Sequence, residues 1–306
     1  MNKIVKGLFL AMMFASMCAC SSDDALQQPS QVETSLVSFS FFDASMEKFN
    51  ESTRAGETRA AKTWKEYFSR LDIAIIPAAD AKKDTVYRVH QLNSSSDYGT
   101  LSMRLPIGKY TMVAVASTAS EEVGISSPEL ATFPGSAATD MAYVSQEVDV
   151  TSGSTTVNGV LKRSLAKFAL ESSDSVDMDL DRAEVTFTGN FSKDFNPATG
   201  YGIKGDTETI YTKTAQFTDN LKKKKKSITV SLYAFVPEEV VTITVDVKVY
   251  NVSGDVIKTL HFDNVKIQQN HVTTYRGPLF TSGTTFGFTF DDKDFEKSDY
   301  DTNFGD

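Results

Sequence analysis

Beyond position 20 the chain has no cysteine; the two it has, Cys18 and Cys20, both lie in "MCACSSDD" (17–24). The rest of the chain therefore has neither a disulfide nor a cysteine nucleophile to work with. Tryptophan occurs once, as Trp64, and histidine three times, as His90, His261 and His271, far apart in sequence. That scarcity excludes HExxH and related zinc spacings. Neither a GxSxG elbow nor a GxxxxGK[ST] phosphate loop is present. Basic residues are outnumbered, 31 against 40 acids, for a net charge of −9. An acidic chain of this kind is a poor nucleic-acid binder, because phosphate contacts need basic surface, and it suits a solvated cell-surface protein. No apolar run reaches the ~20 residues of a membrane-spanning helix.

The N-terminus explains where the cysteines sit. Met1–Lys6 is basic, "GLFLAMMFA" (7–15) is apolar, and small residues follow. These are the parts of a secretory signal peptide. The junction "SMCAC" resembles a bacterial lipobox, with Met17 where leucine is usual. The resemblance implies that the Cys20 thiol takes a diacylglycerol, that the peptide is cut before it, and that the new amine is acylated. Several acyl chains anchor durably where one is marginal, at ~0.8 kcal/mol per buried CH₂. Losing residues 1–19 removes Lys3 and Lys6 and no acid, leaving a mature net charge of −11. "SSDD" (21–24) resembles the acidic signal that sends lipoproteins of the Bacteroidia to the outer face of the outer membrane; its alternative is an ordinary polar tether.

Downstream, period-two alternation dominates. Val37, Phe39 and Phe41 share one face of a strand over 35–43. Residues 44–60 lose the pattern and end in "STRAGETRAA". Trp64, Phe68 and Leu71 recur at helical spacing, which predicts a short helical turn with Trp64 as a core plug. Leu71, Ile73 and Ile75 form a strand closed by Pro77, and 86–92 another. Residues 99–118 predict a β-hairpin turned at "PIGK"; 119–142 read as loop. Strand-like "AYVSQEVDV" and "TTVNGVLKRSLAKFAL" flank a "TSGS" turn, and "NFSKDFNPATGYGIKGD" is a polar loop. Val241, Ile243, Val245, Val247 and Val249 alternate perfectly, and "NVSGD" turns them into a second hairpin with 256–262. "NVKIQQNHVTTYRG" predicts two short strands, and Phe286, Phe288 and Phe290 close the series.

Many short strands and few helical windows predict an all-β fold of two tandem β-sandwich domains. The divisions are 1–19 signal peptide, 20–34 tether, 35–147 and 148–290 sandwiches, and 291–306 acidic tail. In that tail Asp299, Asp301 and Asn303 resemble the start of a calcium loop, but the glycine falls late, at Gly305, and no glutamate comes after it. A solvated tail is expected, with no metal, no cofactor and no enzymatic constellation. Lys222–Lys226 predicts a solvated loop guarding an edge strand, with contact to anionic lipopolysaccharide as the weaker reading.

Five segments, in order, resemble the fimbrillin family of the Bacteroidia: "VSFSFFD" with "STRAGETRAA", "SRLDIAIIP" before "LPIGKYTMVAVA", "VLKRSLAKFAL", "VTFTGNFSKDFNPATGYG" and "NVKIQQNHVTTYRGPLF". They span roughly residues 36–290. The resemblance implies transthyretin-like sandwiches, lipoprotein export, and a role as a fimbrial (pilus) subunit or anchor supporting adhesion. Its implied partners are outer-membrane lipid through Cys20, other fimbrial subunits, and host or bacterial surface ligands. In polymerising members an arginine-specific protease cuts the loop after the first strand; the matching positions are Arg54 and Arg59. The groove left behind is filled by a strand of the next subunit, and Phe286, Phe288 and Phe290 are donor-strand candidates. The competing reading of those phenylalanines is that they complete their own sheet. The alternative function is a surface glycan-binding lipoprotein of a nutrient-uptake system.

Overall fold

The computed structural model describes residues 32–43, 63–78, 85–281 and 286–291. The fold is all-β, in sheets packed face to face. β1 (Thr34–Asp43) buries Val37, Phe39 and Phe41, while Leu36 and Phe42 stay exposed. The single-turn α1 (Trp64–Tyr67) opens with Thr63 N–H donating to Glu66 Oε2 at 2.6 Å. Trp64 is buried as expected, and its indole Nε1–H donates to the Phe41 carbonyl at 3.2 Å. It thereby ties α1 to β1 and packs on Tyr98, the ring centroids 5.1 Å apart.

Next come β2 (Arg70–Pro77), β3 (Tyr87–Leu92), β4 (Thr100–Pro106), β5 (Gly108–Ser117), the short β6 (Gly124–Ser127) and β7 (Leu130–Thr132), β8 (Met141–Val150) and β9 (Thr155–Leu161). β1 lies between β4 and β9 in one sheet; the facing sheet runs β3-β2-β5-β8. The hairpin predicted for 99–118 is not one. β4 pairs antiparallel with β1, and β5 lies between β2 and β8. Pro106–Gly108 is a corner that carries the chain from one sheet to the other. The reason is burial: Tyr110, Met112, Ala114 and Ala116 face one core, and Val113 and Val115 face another. A strand apolar on both faces belongs inside a sheet, where local turn chemistry has no say over its partners. The "TSGS" turn likewise passes the chain between sheets, since β9 pairs parallel with β1. Position 147/148 falls inside β8, and residues 162–165 join the two strand sets.

The second set comprises β10 (Ala166–Ser172), β11 (Leu180–Gly189), β12 (Asp194–Phe195), β13 (Thr209–Gln216), α2 (Asp219–Lys223), β14 (Thr229–Ala234), β15 (Val240–Asn251), β16 (Val256–Gln268), β17 (Val272–Gly277) and β18 (Gly287–Asp291). Its sheets run β14-β10-β17-β18 and β13-β11-β15-β16. The β15–β16 hairpin forms as predicted. Asn251 Oδ1 fastens its turn by accepting from the N–H groups of Ser253 (3.0 Å) and Asp255 (2.8 Å). The lysine run begins as helix α2 rather than loop, capped by Thr218, and leads to β14, which is an edge strand. The two strands predicted in 264–277 are the end of the 13-residue β16 and β17, which lie in different sheets.

One connectivity occurs twice. β1, β2, β3, β4, β5, β8 and β9 correspond in order, pairing and sense to β10, β11, β13, β14, β15, β16 and β17. Each set encloses its own core, one built on Phe39, Leu71 and Met112, the other on Phe168, Phe187 and Val247. A third core lies on the outer face of β2 and β5, under β6 and β7. It brings Phe133 and Tyr143 against Phe195 and Phe235 of the second set; Phe195 and Phe235 stack with centroids 4.4 Å apart. β12 also pairs with β7 across the two sets.

Candidate assembly site

The strand that the sequence singles out, β1, is central in its sheet. It runs antiparallel to β4 from Thr34↔Pro106 to Ser40↔Thr100, and parallel to β9 from Val37↔Thr155 to Asp43↔Leu161. Both of its edges are therefore hydrogen-bonded. Burying Val37, Phe39 and Phe41 is worth ~1.5–3 kcal/mol each, which sets this one strand against a whole-protein stability of only ~5–15 kcal/mol. Its seat includes a notch. Gly159 of β9 stands beside Phe41, and a Cβ there would come within 2.9 Å of the ring. A glycine stands in this strand because the ring approaches the backbone.

β17, the counterpart of β9, repeats the device: a Cβ on Gly277 would meet the Phe286 ring at 2.5 Å. Phe286 is half-buried against the second core, edge-to-face with Phe262 at 5.0 Å. β18 lies on the outer edge of β17, antiparallel, with Phe288 in register with Tyr275 and Phe290 with Thr273. The seven-strand plan of the first set has no equivalent of β18 among the described residues. Within one chain, then, this segment completes its own sheet.

The approach to β18 is latched. Asp174 accepts from the N–H groups of Leu279, Phe280 and Thr281, all at 2.9 Å, and from the Thr281 hydroxyl at 3.1 Å. Burial opposes its charge, but these donors outweigh it and hold the carboxyl below the usual carboxylate range. From the other side Lys258 Nζ donates to the carbonyls of Pro278 (2.5 Å) and Thr281 (2.6 Å). Burial pushes that ammonium down, with Asp174 opposing. Asp174 carries no sequence signal of its own; only the fold brings it to a segment more than 100 residues away.

Cys20, Arg54, Arg59 and the acidic tail 292–306 lie outside the described residues. The histidines stand apart: His90 Nδ1 is 2.8 Å from Asp72, His261 is held between Asp246 (2.6 Å) and Asp263 (2.9 Å), and His271 Nδ1 is 2.8 Å from the Gln269 carbonyl. Among the described residues no group of three or more such side chains is arranged to hold a metal ion. Gly200–Gly205 has GxGxxG spacing. It joins β12 to β13, with no helix behind it to take a pyrophosphate, so it lacks the context of a dinucleotide loop. No helix of the described residues is long and apolar enough to cross a membrane.

A model of a family of unknown function, DUF6562, matches residues 29–305. No curated protein shows a significant sequence match. Among solved structures the chain is similar to an adhesin candidate from Bacteroides ovatus, at 12% identity over 81% of this chain and 88% of that one, with a TM-score of 0.46. It is similar to a candidate polysaccharide-binding protein from Bacteroides thetaiotaomicron, at 9% identity over 87% and 99%, TM-score 0.47. It is also similar to a fimbrial anchor protein of Porphyromonas gingivalis, at 12% identity over 83% and 95%, TM-score 0.40.

Proposed function

From the premise that this chain belongs to the family of unknown function DUF6562, we propose that it is a lipid-anchored cell-surface protein that serves as a fimbrial subunit or anchor. Its anchor is Cys20, acylated at the outer membrane and joined to Thr34 by the tether. Its structural part is a pair of tandem sandwiches, and its assembly reaction is β-strand complementation. The observation that carries this reading is the seat of β1. An internal strand with both edges paired and three apolar side chains in the core is one whose removal leaves an open slot. Cutting after Arg54 or Arg59 would sever β1 from the rest of the chain. The vacant slot would then be satisfied by an alternating apolar strand from another subunit, for which Phe286, Phe288 and Phe290 offer the pattern. The ordered fimbrillin-like segments support the same reading.

The test is the N-terminus of the protein as cells display it, read by mass spectrometry of surface and filament fractions. An acylated Cys20 in material that co-isolates with filaments makes the chain an anchor. Ala55 or Ala60 at the N-terminus makes it a polymerising subunit. An unmodified Cys20 inside a longer chain, or a protein never found with filaments, overturns the proposal.

A further inference from the structure

The seat of β1 is more than an apolar slot, because its far end is shaped. There the buried Phe41 ring lies on Gly159 of β9. A Cβ at Gly159 would stand 2.9 Å and 3.1 Å from two ring carbons and 3.2 Å from Val144 Cγ1. The neighbouring core-facing residues of β9, Val157 and Leu161, fill their own places with side chains. The backbone of Phe41 is held as well. Its N–H donates to the Gly99 carbonyl at 3.1 Å, and its carbonyl accepts from Trp64 Nε1 at 3.2 Å. Trp64 is itself fixed. It packs on Tyr98, whose hydroxyl donates to the Phe68 carbonyl at 2.7 Å. Gly99 leaves room for it, since a Cβ there would stand 2.9 Å from the indole ring.

These two features read a strand in different ways. The indole N–H and the Gly99 carbonyl read backbone. A buried indole is a donor that needs an acceptor, so a strand must present a carbonyl at this place. A slip of one residue would turn that carbonyl away and send the apolar face to the outside. A slip of two would satisfy the indole again. The Gly159 notch detects it, because it accepts a ring at one core-facing position and leaves a void under a smaller side chain.

Resting on the complementation reading proposed above, we infer that Gly159 and Trp64 set the register of any strand that occupies the slot. The strand they select is residues 286–291 of a second copy, with Phe290 at the place of Phe41. Among the 21 phenylalanines, pairs two positions apart occur only at 39/41 and within 286–290. Laid along β1 in this register, Phe288 falls at Phe39, and Gly287 and Thr289 fall at Ser38 and Ser40. Asp291 replaces Phe42, which is 52% exposed. A slip of two would carry Phe290 past the notch to the place of Asp43 and set Thr284 at the fully buried place of Val37. The near end fits less well: Phe286 falls at Val37 and is the larger of the two, so it overfills the core there.

The test uses the full chain with a specific protease site inserted between Arg54 and Arg59, so that one cut frees β1. The cut protein is unfolded in urea and refolded with an excess of a synthetic peptide, and native mass spectrometry reads which strand it holds. A peptide of residues 34–43 tests the complementation reading, and substituted peptides test the register. The 282–293 peptide is expected to enter. Phe290→Ala should lower its capture roughly a hundredfold, whereas Phe286→Val should raise it severalfold. In the protein, Gly159→Ala should cost the 34–43 peptide roughly tenfold and its Phe41→Ala version nothing. Trp64→Phe removes the donor and keeps a ring, and should weaken every peptide alike, roughly fivefold. If the 34–43 peptide fails to enter, the complementation reading falls and this inference with it. If it enters but 282–293 does not, the inference alone is overturned. The same holds if Phe290→Ala is harmless, if Phe286→Val weakens capture, or if Gly159→Ala penalises both 34–43 peptides equally.

Discussion

In the first strand set the outer face of the β3-β2-β5-β8 sheet is covered; in the second, the outer face of β13-β11-β15-β16 meets solvent. The cross-strand His–Asp pairs measure the difference. Asp72 faces His90 across β2 and β3, and Asp246 faces His261 across β15 and β16. The Asp72 side chain is 1% exposed and that of Asp246 44%. Asp72 accepts from Arg70 Nε, lies against His90, and takes the Val123 N–H at 2.9 Å, so it fastens the segment leading to β6 onto the sheet. Asp246 and His261 lie in the open with Asp263, among threonines and charged residues. One connectivity has thus been used for two purposes. The covered face makes a contact surface inside the molecule, and the open face stays a solvated wall. The same cross-strand chemistry is structural in one and peripheral in the other because burial sets what a charge pair is worth.

The comparison can be tested by substitution, beginning where the effect should be largest. Phe235→Ala empties the centre of the shared core and should cost about 3–5 kcal/mol. If that core couples the two strand sets, urea denaturation monitored by circular dichroism will split from one transition into two. A single, uniformly shifted transition would mean that the coupling lies elsewhere. Next, Asp72→Ala should cost about 3 kcal/mol, because it leaves the Arg70 guanidinium without its buried carboxylate. Asp246→Ala should stay within about 0.5 kcal/mol. Equal losses in the two would erase the distinction between covered and open faces. Gly159→Val should cost about 1–3 kcal/mol by forcing a side chain into the Phe41 ring, read from the midpoint of the same denaturation curve.

The smallest effects lie in pH, and they have opposite signs. The Asp246 hydrogen bond, with Asp263 beside it, raises the His261 imidazole above its ordinary 6.5. Its small contribution is full below pH 6.5 and disappears as pH rises through the raised value. A proton NMR titration should show that value falling in Asp246→Asn. Asp174 behaves in the other sense. Its carboxyl is held low, so the latch is complete above the ordinary carboxylate range and lost as pH falls through the depressed value. Hydrogen exchange at the Leu279, Phe280 and Thr281 amides should quicken there, and in Asp174→Ala already at neutral pH.

Some of this is visible in the chain as written. Val37, Phe39 and Phe41 announce a half-buried strand, and 241–249 a longer one, because side chains alternate with a fixed period of two. Trp64 at helical spacing is buried in the core, as that spacing predicts. Partnership is less legible. "LPIGKY" has every local mark of a hairpin and is a corner between sheets. Gly159 and Gly277 look like weak points in strands until Phe41 and Phe286 are seen beside them. The segment 119–142 reads as loop, although β6 and β7 within it cover a sheet face. The Asp174 latch is invisible in the sequence, since more than 100 positions separate that carboxylate from residues 279–281.

By itself, then, the sequence determined the covalent and local terms: where cysteine is spent, which face of an alternating strand is apolar, and the resemblance carried by five ordered segments. Those depend on neighbours within a few residues. Only the tertiary structure decided which strands pair, that one seven-strand plan is laid down twice, that β1 is internal to its sheet, and that Asp174 reaches residues 279–281. Alternation states that a strand has a buried side; it carries no record of what is on the other side of the core, because that contact is made only when distant segments compete for the same surface.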